Sequence, residues 1–361
     1  MFAVLGLLPT LLAEIIQPQY MLAVNEVYMQ TFFSVTKFTR RLDLLGCTYG
    51  QPSVKHRPSW VPDLTTTPDR QFISSEGSCS SGCSSSDAYF VEPGQLHVKG
   101  THQGEVCAVS AVLEKSVGST YPVFRKLVLE FFPDSTSDDI FDTYAWLITF
   151  GDLRERWWDY DYYPTLEEAR EILNPACDTE TPHIPDRYAP WYGELSIGQQ
   201  QARYFVTDQG NVGIGPPAIQ AGDRVCLLLG SRFPTTLRPM LLHSASEQYQ
   251  VLGASYVHGL MEGQALLGPL PKHWTMIVES FYPIDFAFRN TETKEITVID
   301  PRLVALPEEW ERVEVEDETH SNYALRHYRH RHTAEVLDSD PRLLPDALRA
   351  RGVKLETIIL I

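Results

Sequence analysis

The tightest constraint on the fold lies in the second half of the chain, where short apolar runs alternate with turn signals at close spacing after Trp191. A helix cannot use that pattern; a small barrel or a strongly twisted antiparallel sheet requires it. Tyr204-Phe205-Val206-Thr207, the turn Asp208-Gln209-Gly210 and Asn211-Val212-Gly213 read as a hairpin. Arg224 to Leu229 reads as a buried central strand. Further strands are expected at Thr235 to Leu237, Tyr249 to His258 and Glu295 to Ile299, the last entered through the polar turn Asn290 to Lys294. A helix is expected over Pro345 to Arg351.

The first half reads mainly helical. Val24 to Leu45 places Val27, Tyr28, Thr31, Phe32, Val35 and Phe38 on one face. Further helices are expected at Tyr121 to Phe132, Ile140 to Trp157 and Leu166 to Leu173. A small hairpin is expected from two short strands, Gln95 to Lys99 and Val106 to Leu113, joined by a turn over Gly100 to Gly104. The 361 residues favour two domains: a mainly helical region 1–190 with a Ser-rich loop at 74–86, and a β-rich region 191–361 with a C-terminal helix. The class is α+β. Within the Ser-rich segment, Cys79-x3-Cys83 has no further ligands at zinc spacing and reads as part of a mobile loop. Asp-Pro-Arg-Leu occurs at Asp300 to Leu303 and at Asp340 to Leu343; with no match in the flanks, both copies read as turn signals rather than a repeat.

Thirty Lys and Arg against 47 Asp and Glu give a formal net charge of −17. That balance repels phosphate backbones and excludes nucleic acid and anionic membrane as expected partners. The apolar run Met1 to Ala13 has no basic residue ahead of it, Lys37 being the first, and it is too short to span a bilayer, so it reads as a buried helix, with a signal peptide as the alternative. The Asn residues offer no Asn-x-Ser/Thr acceptor and the six cysteines have no framework spacing. A cytoplasmic location with reduced thiols is expected.

Catalytic signatures are missing: no Gly-x-Ser-x-Gly, no Gly-Lys-Ser/Thr loop, no His-Glu-x-x-His. Gly213-Ile214-Gly215-Pro216-Pro217-Ala218 fits the dinucleotide pattern only loosely, since two prolines remove amide donors and a strand follows. No cofactor and no metal are expected. His320, His327, His330 and His332, interleaved with Arg326, Arg329 and Arg331, read as a solvated loop that pairs with the acidic run Glu308 to Glu318. The aromatic segment Trp157-Trp158-Asp159-Tyr160-Asp161-Tyr162-Tyr163, with Trp191-Tyr192, is either a domain seam or the wall of an apolar ligand pocket. Tyr256-Val257-His258-Gly259 ends a strand. There His258 is either a general acid or a core-edge histidine satisfied by backbone.

The ordered series Arg203-Tyr204-Phe205-Val206-Thr207-Asp208-x-Gly210, Gly213-Ile214-Gly215-Pro216-Pro217, Gly222-Asp223-x-Val225-Cys226-x-Leu228, Leu237-Arg238-Pro239 and Tyr249-x-Val251-Leu252-Gly253-x-x-Tyr256-Val257-His258-Gly259-Leu260-Met261-x-Gly263 resembles the C-terminal region of fungal heterokaryon-incompatibility (HET-domain) proteins. Phe2 to Leu7, Tyr20, Val27-Tyr28, Leu42 to Leu45 and Pro58 to Asp63 are similar to the stretch that follows the HET domain, and Asp340 to Leu343 with Ala347 to Val353 to the closing segment. Ala254 departs from the acidic residue often found after that Gly. A chain opening at Met1-Phe2-Ala3-Val4 is expected to carry the accompanying module without the HET domain itself.

Two functions of different kinds fit the chain, the first from the expected lack of the HET domain, the missing catalytic and cofactor motifs and the aromatic clusters, the second from the resemblance alone. One is a stand-alone module recruited to fungal secondary metabolism as a cofactor-independent enzyme. It would act on a small apolar, terpenoid or polyketide-like substrate in a cyclisation such as a Diels–Alder type step, with Tyr256 and His258 polarising it and Trp158, Trp191, Tyr192 and Tyr204 shaping the pocket. The other is a non-enzymatic interaction or regulatory module in incompatibility and regulated cell death.

Overall fold

The computed structural model describes residues 10–16, 20–48, 57–63, 78–91, 94–113, 120–173, 184–198, 202–240, 246–281, 284–313, 327–337 and 339–361. Its helices are α1 (Thr10–Ile15), α2 (Val24–Thr39), α3 (Tyr121–Phe131), α4 (Ser137–Ile148), α5 (Leu166–Leu173), α6 (Ala189–Gly198), α7 (Gln264–Leu267) and α8 (Pro345–Ala350). Its strands are β1 (Ala88–Val91), β2 (Gln95–Val109), β3 (Arg203–Thr207), β4 (Val212–Gly215), β5 (Arg224–Leu228), β6 (Thr235–Met240), β7 (Gln248–Ala254), β8 (Tyr256–Val257), β9 (Trp274–Phe281), β10 (Ile284–Asn290), β11 (Ile296–Thr297), β12 (Trp310–Val313), β13 (His327–His330), β14 (Val336–Leu337) and β15 (Glu356–Leu360). The α+β reading is borne out, with the helices gathered in the first half and the strands in the second. Among the described residues no helix is long and apolar enough to cross a membrane. Residues 1–9 of the expected N-terminal helix lie outside the described residues; α1 buries Leu12.

The strands close on themselves. β2 pairs with β5, β5 with β6 and β6 with β7; β7 runs parallel to β15, and β15 returns to β2. From the far half of β2 the sheet continues through β3 and β4 to β8. The barrel thus takes strands from both sides of residue 190. β5 is buried on both faces, which explains its unbroken apolar run: Cys226 and Leu228 join α2 and Trp60 in one core, while Leu227 and Leu229 join Leu343 and Leu348 in another. Helices α3 to α6 cover β3, β4 and β8, burying Phe124, Tyr144, Trp191, Tyr204, Ile214 and Tyr256 together.

Local signals account for most helix ends. Thr136 caps α4 by accepting from the Asp139 amide at 3.1 Å, and Thr165 and Glu168 form a reciprocal capping box before α5. Two helices stop earlier than their apolar pattern predicts. α2 ends at Thr39 because Arg40 turns left-handed (φ 55°), and α4 ends at Ile148 ahead of Phe150 (φ 52°) and Gly151 (φ 79°), so the stretch to Trp157 is irregular.

The structure corrects four expectations. The first is the hairpin over residues 95–113: Gln95–Val109 is one bent strand, and the small hairpin of the first half is β1 with the start of β2. Gly100 serves a close approach, since a Cβ there would lie 2.5 Å from the Leu227 carbonyl. Gly104 (φ 117°) accompanies a register shift between His102 and Glu105. The glycines bend a strand that serves two partners in succession; they do not reverse it.

The Ser-rich segment is the second correction. Ser78, Cys79, Ser80, Ser81 and Ser84 are buried, and the backbone is stitched to the barrel: the Cys79 amide donates to the Met261 carbonyl, Ser80 to Arg232 and Ser86 to Arg40. Small side chains let this backbone press against its neighbours. Residues 74–77 lie outside the described residues.

Third, the histidine cluster is a strand. β13 carries His327 and His330, with Tyr328 buried between them; Arg329 and Arg331 pair with Glu311, so the expected link to the acidic run holds. His320 lies outside the described residues.

Finally, the two Asp-Pro-Arg-Leu copies close two equivalent three-stranded units. The orders β9-β10-β11 and β12-β13-β14 are both antiparallel meanders. Leu270-Pro271-x-x-Trp274 opens the first and Leu306-Pro307-x-x-Trp310 the second. Asn290 pairs with Trp274 as His330 pairs with Trp310. Each turn repeats a donor pattern: Asn290 to the Glu295 carbonyl at 2.8 Å and His330 to that of Glu335 at 2.8 Å, with left-handed Lys294 (φ 64°) and Ala334 (φ 58°) in equivalent places. Thr-x-Glu followed by Ile or Val starts each last strand, at Thr293 and Thr333. The second unit begins where the first ends.

Candidate functional site

In both units an aspartate grips the arginine two residues on. Asp300 Oδ1 accepts from the Arg302 amide at 3.0 Å and from its Nε at 2.9 Å, and Oδ2 accepts from Nη2 at 2.7 Å. Asp340 repeats this with Arg342 at 2.9, 2.8 and 2.6 Å. Proline between the two residues fixes the turn that lets the fork close. Each arginine also ties the start of its own unit: Arg302 Nη1 donates to the Gly268 carbonyl and Arg342 Nη1 to that of Val304. The pairs are nearly buried, and Asp340 takes one further bond, from the Tyr328 hydroxyl at 2.9 Å.

Between the units lies a cavity of about 220 Å³. Its walls come in equivalent pairs: Met276 with Arg312, Phe288 with Tyr328, Asp300 with Asp340, Arg302 with Arg342 and Leu303 with Leu343. Cys79, Gly82 and Cys83 of the Ser-rich segment and Glu262 complete it. Ile299 and Val304, both exposed, form part of the lining.

The lining carboxylates are all paired, Asp300 and Asp340 as described and Glu262 with buried Arg156 at 3.6 Å. Arg312 differs: it is exposed, and among the described residues its side chain has no hydrogen bond or ion pair. Among the described residues the chemical character is therefore an apolar enclosure with one unpaired cation, Arg312.

None of the sequence-derived candidates lines this cavity. Tyr204, Tyr256 and Trp191 share one core cluster, with Tyr192 packed against it. The Tyr204 hydroxyl meets Thr120 at 3.0 Å, Trp191 Nε1 donates to the Asp152 carbonyl at 2.9 Å, and burial pushes the Tyr204 and Tyr192 phenols up. Tyr256 has its phenol raised by burial and its hydroxyl next to Arg156, the partner of Glu262. Trp158 is apart from the others at the surface beneath the Arg289 guanidinium. His258 follows β8 with its ring reaching solvent and its amide donating to the Val212 carbonyl; surrounding protein lowers its pKa, opposed by Asp142.

A second constellation went unseen in the sequence. Across the β2–β5 pair, Cys226 Sγ sits 3.1 Å from His102 Nδ1, and His102 Nε2 lies 3.4 Å from Glu356 of β15. Burial raises the thiol pKa and lowers that of the imidazole, with Glu356 opposing the latter. Burial therefore favours the neutral form of both groups. With Cys226 wholly buried, this is a satisfied cross-strand pair and not an activated nucleophile.

The residues that line the cavity had one signal in the sequence, the doubled Asp-Pro-Arg-Leu, reinforced by the doubled Leu-Pro-x-x-Trp and Thr-x-Glu. The longer interval between Trp310 and Asp340 masks the register of the two copies. Comparison with protein families matches residues 146–268 to the Het-6 beta-barrel domain, in line with the resemblance to the C-terminal region of HET-family proteins. Comparison with curated proteins returns no match, and comparison with solved structures returns none either.

Proposed function

We propose that this chain, which carries a Het-6 β-barrel domain over residues 146–268, uses the cavity between its two three-stranded units to bind a small, largely apolar molecule. The cavity is the observation that supports this reading. Its volume is below the roughly 300–1,000 Å³ of sites that enclose drug-sized ligands, so the ligand is a fragment of terpenoid or short polyketide size. Walls of Met276, Phe286, Phe288 and Leu303 offer shape, and Arg312 offers polarisation. Such a site acts by holding a reactive conformer and stabilising developing charge, which suits a cofactor-independent cyclisation of Diels–Alder type in fungal secondary metabolism. The commitment of Tyr204, Trp191 and Tyr256 to packing favours the second reading, a non-enzymatic interaction module in heterokaryon incompatibility and regulated cell death.

Calorimetric titration with n-octanol tests the cavity. Wild type binds, and Leu303→Trp, which fills the cavity, or Val304→Trp, an exposed position at its lining, weakens binding by about tenfold or more. Absence of binding to wild type, or equal binding by both variants, overturns the reading. Turnover is read from a tethered diene–dienophile probe: a single enantiomer supports the cyclase, and racemic product at the uncatalysed rate leaves the second reading.

A further inference from the structure

The two units are equivalent in backbone and in their Asp–Arg turns, yet one wall position differs in kind. Met276 of the first unit is buried, and its counterpart in the second is Arg312. Every carboxylate lining the cavity already has an arginine partner, whereas Arg312 has none among the described residues. Exposed Ile299 and Val304 join it in the lining, so a bare guanidinium sits with apolar side chains. A guanidinium presents a planar fork of donors that a carboxylate matches with two parallel bonds.

We infer that the cavity selects a small amphipathic monoanion, its apolar body between Met276, Phe286 and Phe288 and its carboxylate on Arg312. This rests on the cavity being a ligand site, and it names the ligand class. Three features support it: the charge balance of the lining, the position of Arg312, and the placing of a charge where the first unit has Met276. Aspartates 300 and 340 do not repel the anion, because each is neutralised by its own arginine.

The test compares octanoate, n-octanol and octylamine by calorimetry on the full chain at low salt. Octanoate binds about tenfold or more tightly than octanol, and octylamine more weakly than either. Arg312→Met, which restores the residue of the first unit at an exposed position, brings octanoate to the level of octanol. Arg312→Lys keeps the charge without the fork and retains part of the preference. Added salt weakens octanoate binding selectively. Equal affinity of wild type for octanoate and octanol, or an unchanged ratio in Arg312→Met, overturns the inference while the cavity reading stands. If none of the three probes binds wild type, both fall together.

Discussion

The first and second three-stranded units share turn geometry, donor pattern and the Asp–Arg fork, and they differ in what they show the cavity. The first presents Met276 and Phe288, the second Arg312 and Tyr328. A duplicated scaffold therefore carries an apolar wall and a polar wall, and the difference resides in side chains that the shared backbone does not need.

The sharpest way to break this comparison is to exchange the walls. Met276→Arg buries a guanidinium where the methionine is 2% exposed, and the expected cost is about 3 kcal/mol or more in urea unfolding. Arg312→Met, at an exposed site without partners among the described residues, shifts stability by less than about 0.5 kcal/mol. Similar effects from both exchanges would deny the asymmetry.

The forks come next in size. Asp340→Ala leaves a nearly buried Arg342 without its carboxylate and takes an acceptor from the Tyr328 hydroxyl, with an expected loss of about 3–5 kcal/mol. Asp300→Ala costs less, since Asp300 is more exposed and holds no tyrosine. Reversal of that order by chemical denaturation would show that the units are not equivalent in energy. Tyr328→Phe removes one hydrogen bond from Asp340 and costs about 1 kcal/mol, leaving Asp300 and its unit untouched.

The smallest effect separates the units from the barrel. Burial lowers the pKa of His102, so below the ordinary imidazole range the unfolded chain binds a proton that the folded chain resists. Stability is therefore full above that range and declines as pH falls through it. His97 and His258 shift in the same direction. His102→Gln shallows the acid-side slope of a Tm-versus-pH profile without removing it; an unchanged slope would place the titration elsewhere.

Much of the local structure was legible. The hairpin at Arg203 to Gly215, the strand at Arg224, and helices α3, α5 and α8 appear where periodicity and turn residues put them, because each is specified by neighbours in sequence. The candidate site was far less legible. Tyr204, Trp191 and Tyr256 carry the right chemistry for a pocket wall, but partners from α3 and α4 and the Asp152 backbone draw them into the core.

By itself the sequence determined the α+β class, the local hairpin and caps, the acidic balance and the likeness to HET-family C-terminal regions. Only the tertiary structure decided that Gly100 and Gly104 bend one strand instead of joining two, since that depends on Leu227 and Thr207 lying opposite them. It likewise decided that Ser78 to Ser81 and Ser84 are buried, and that two short identical turns face one cavity. Local signals encode local geometry, while burial and pairing depend on which distant segments arrive alongside.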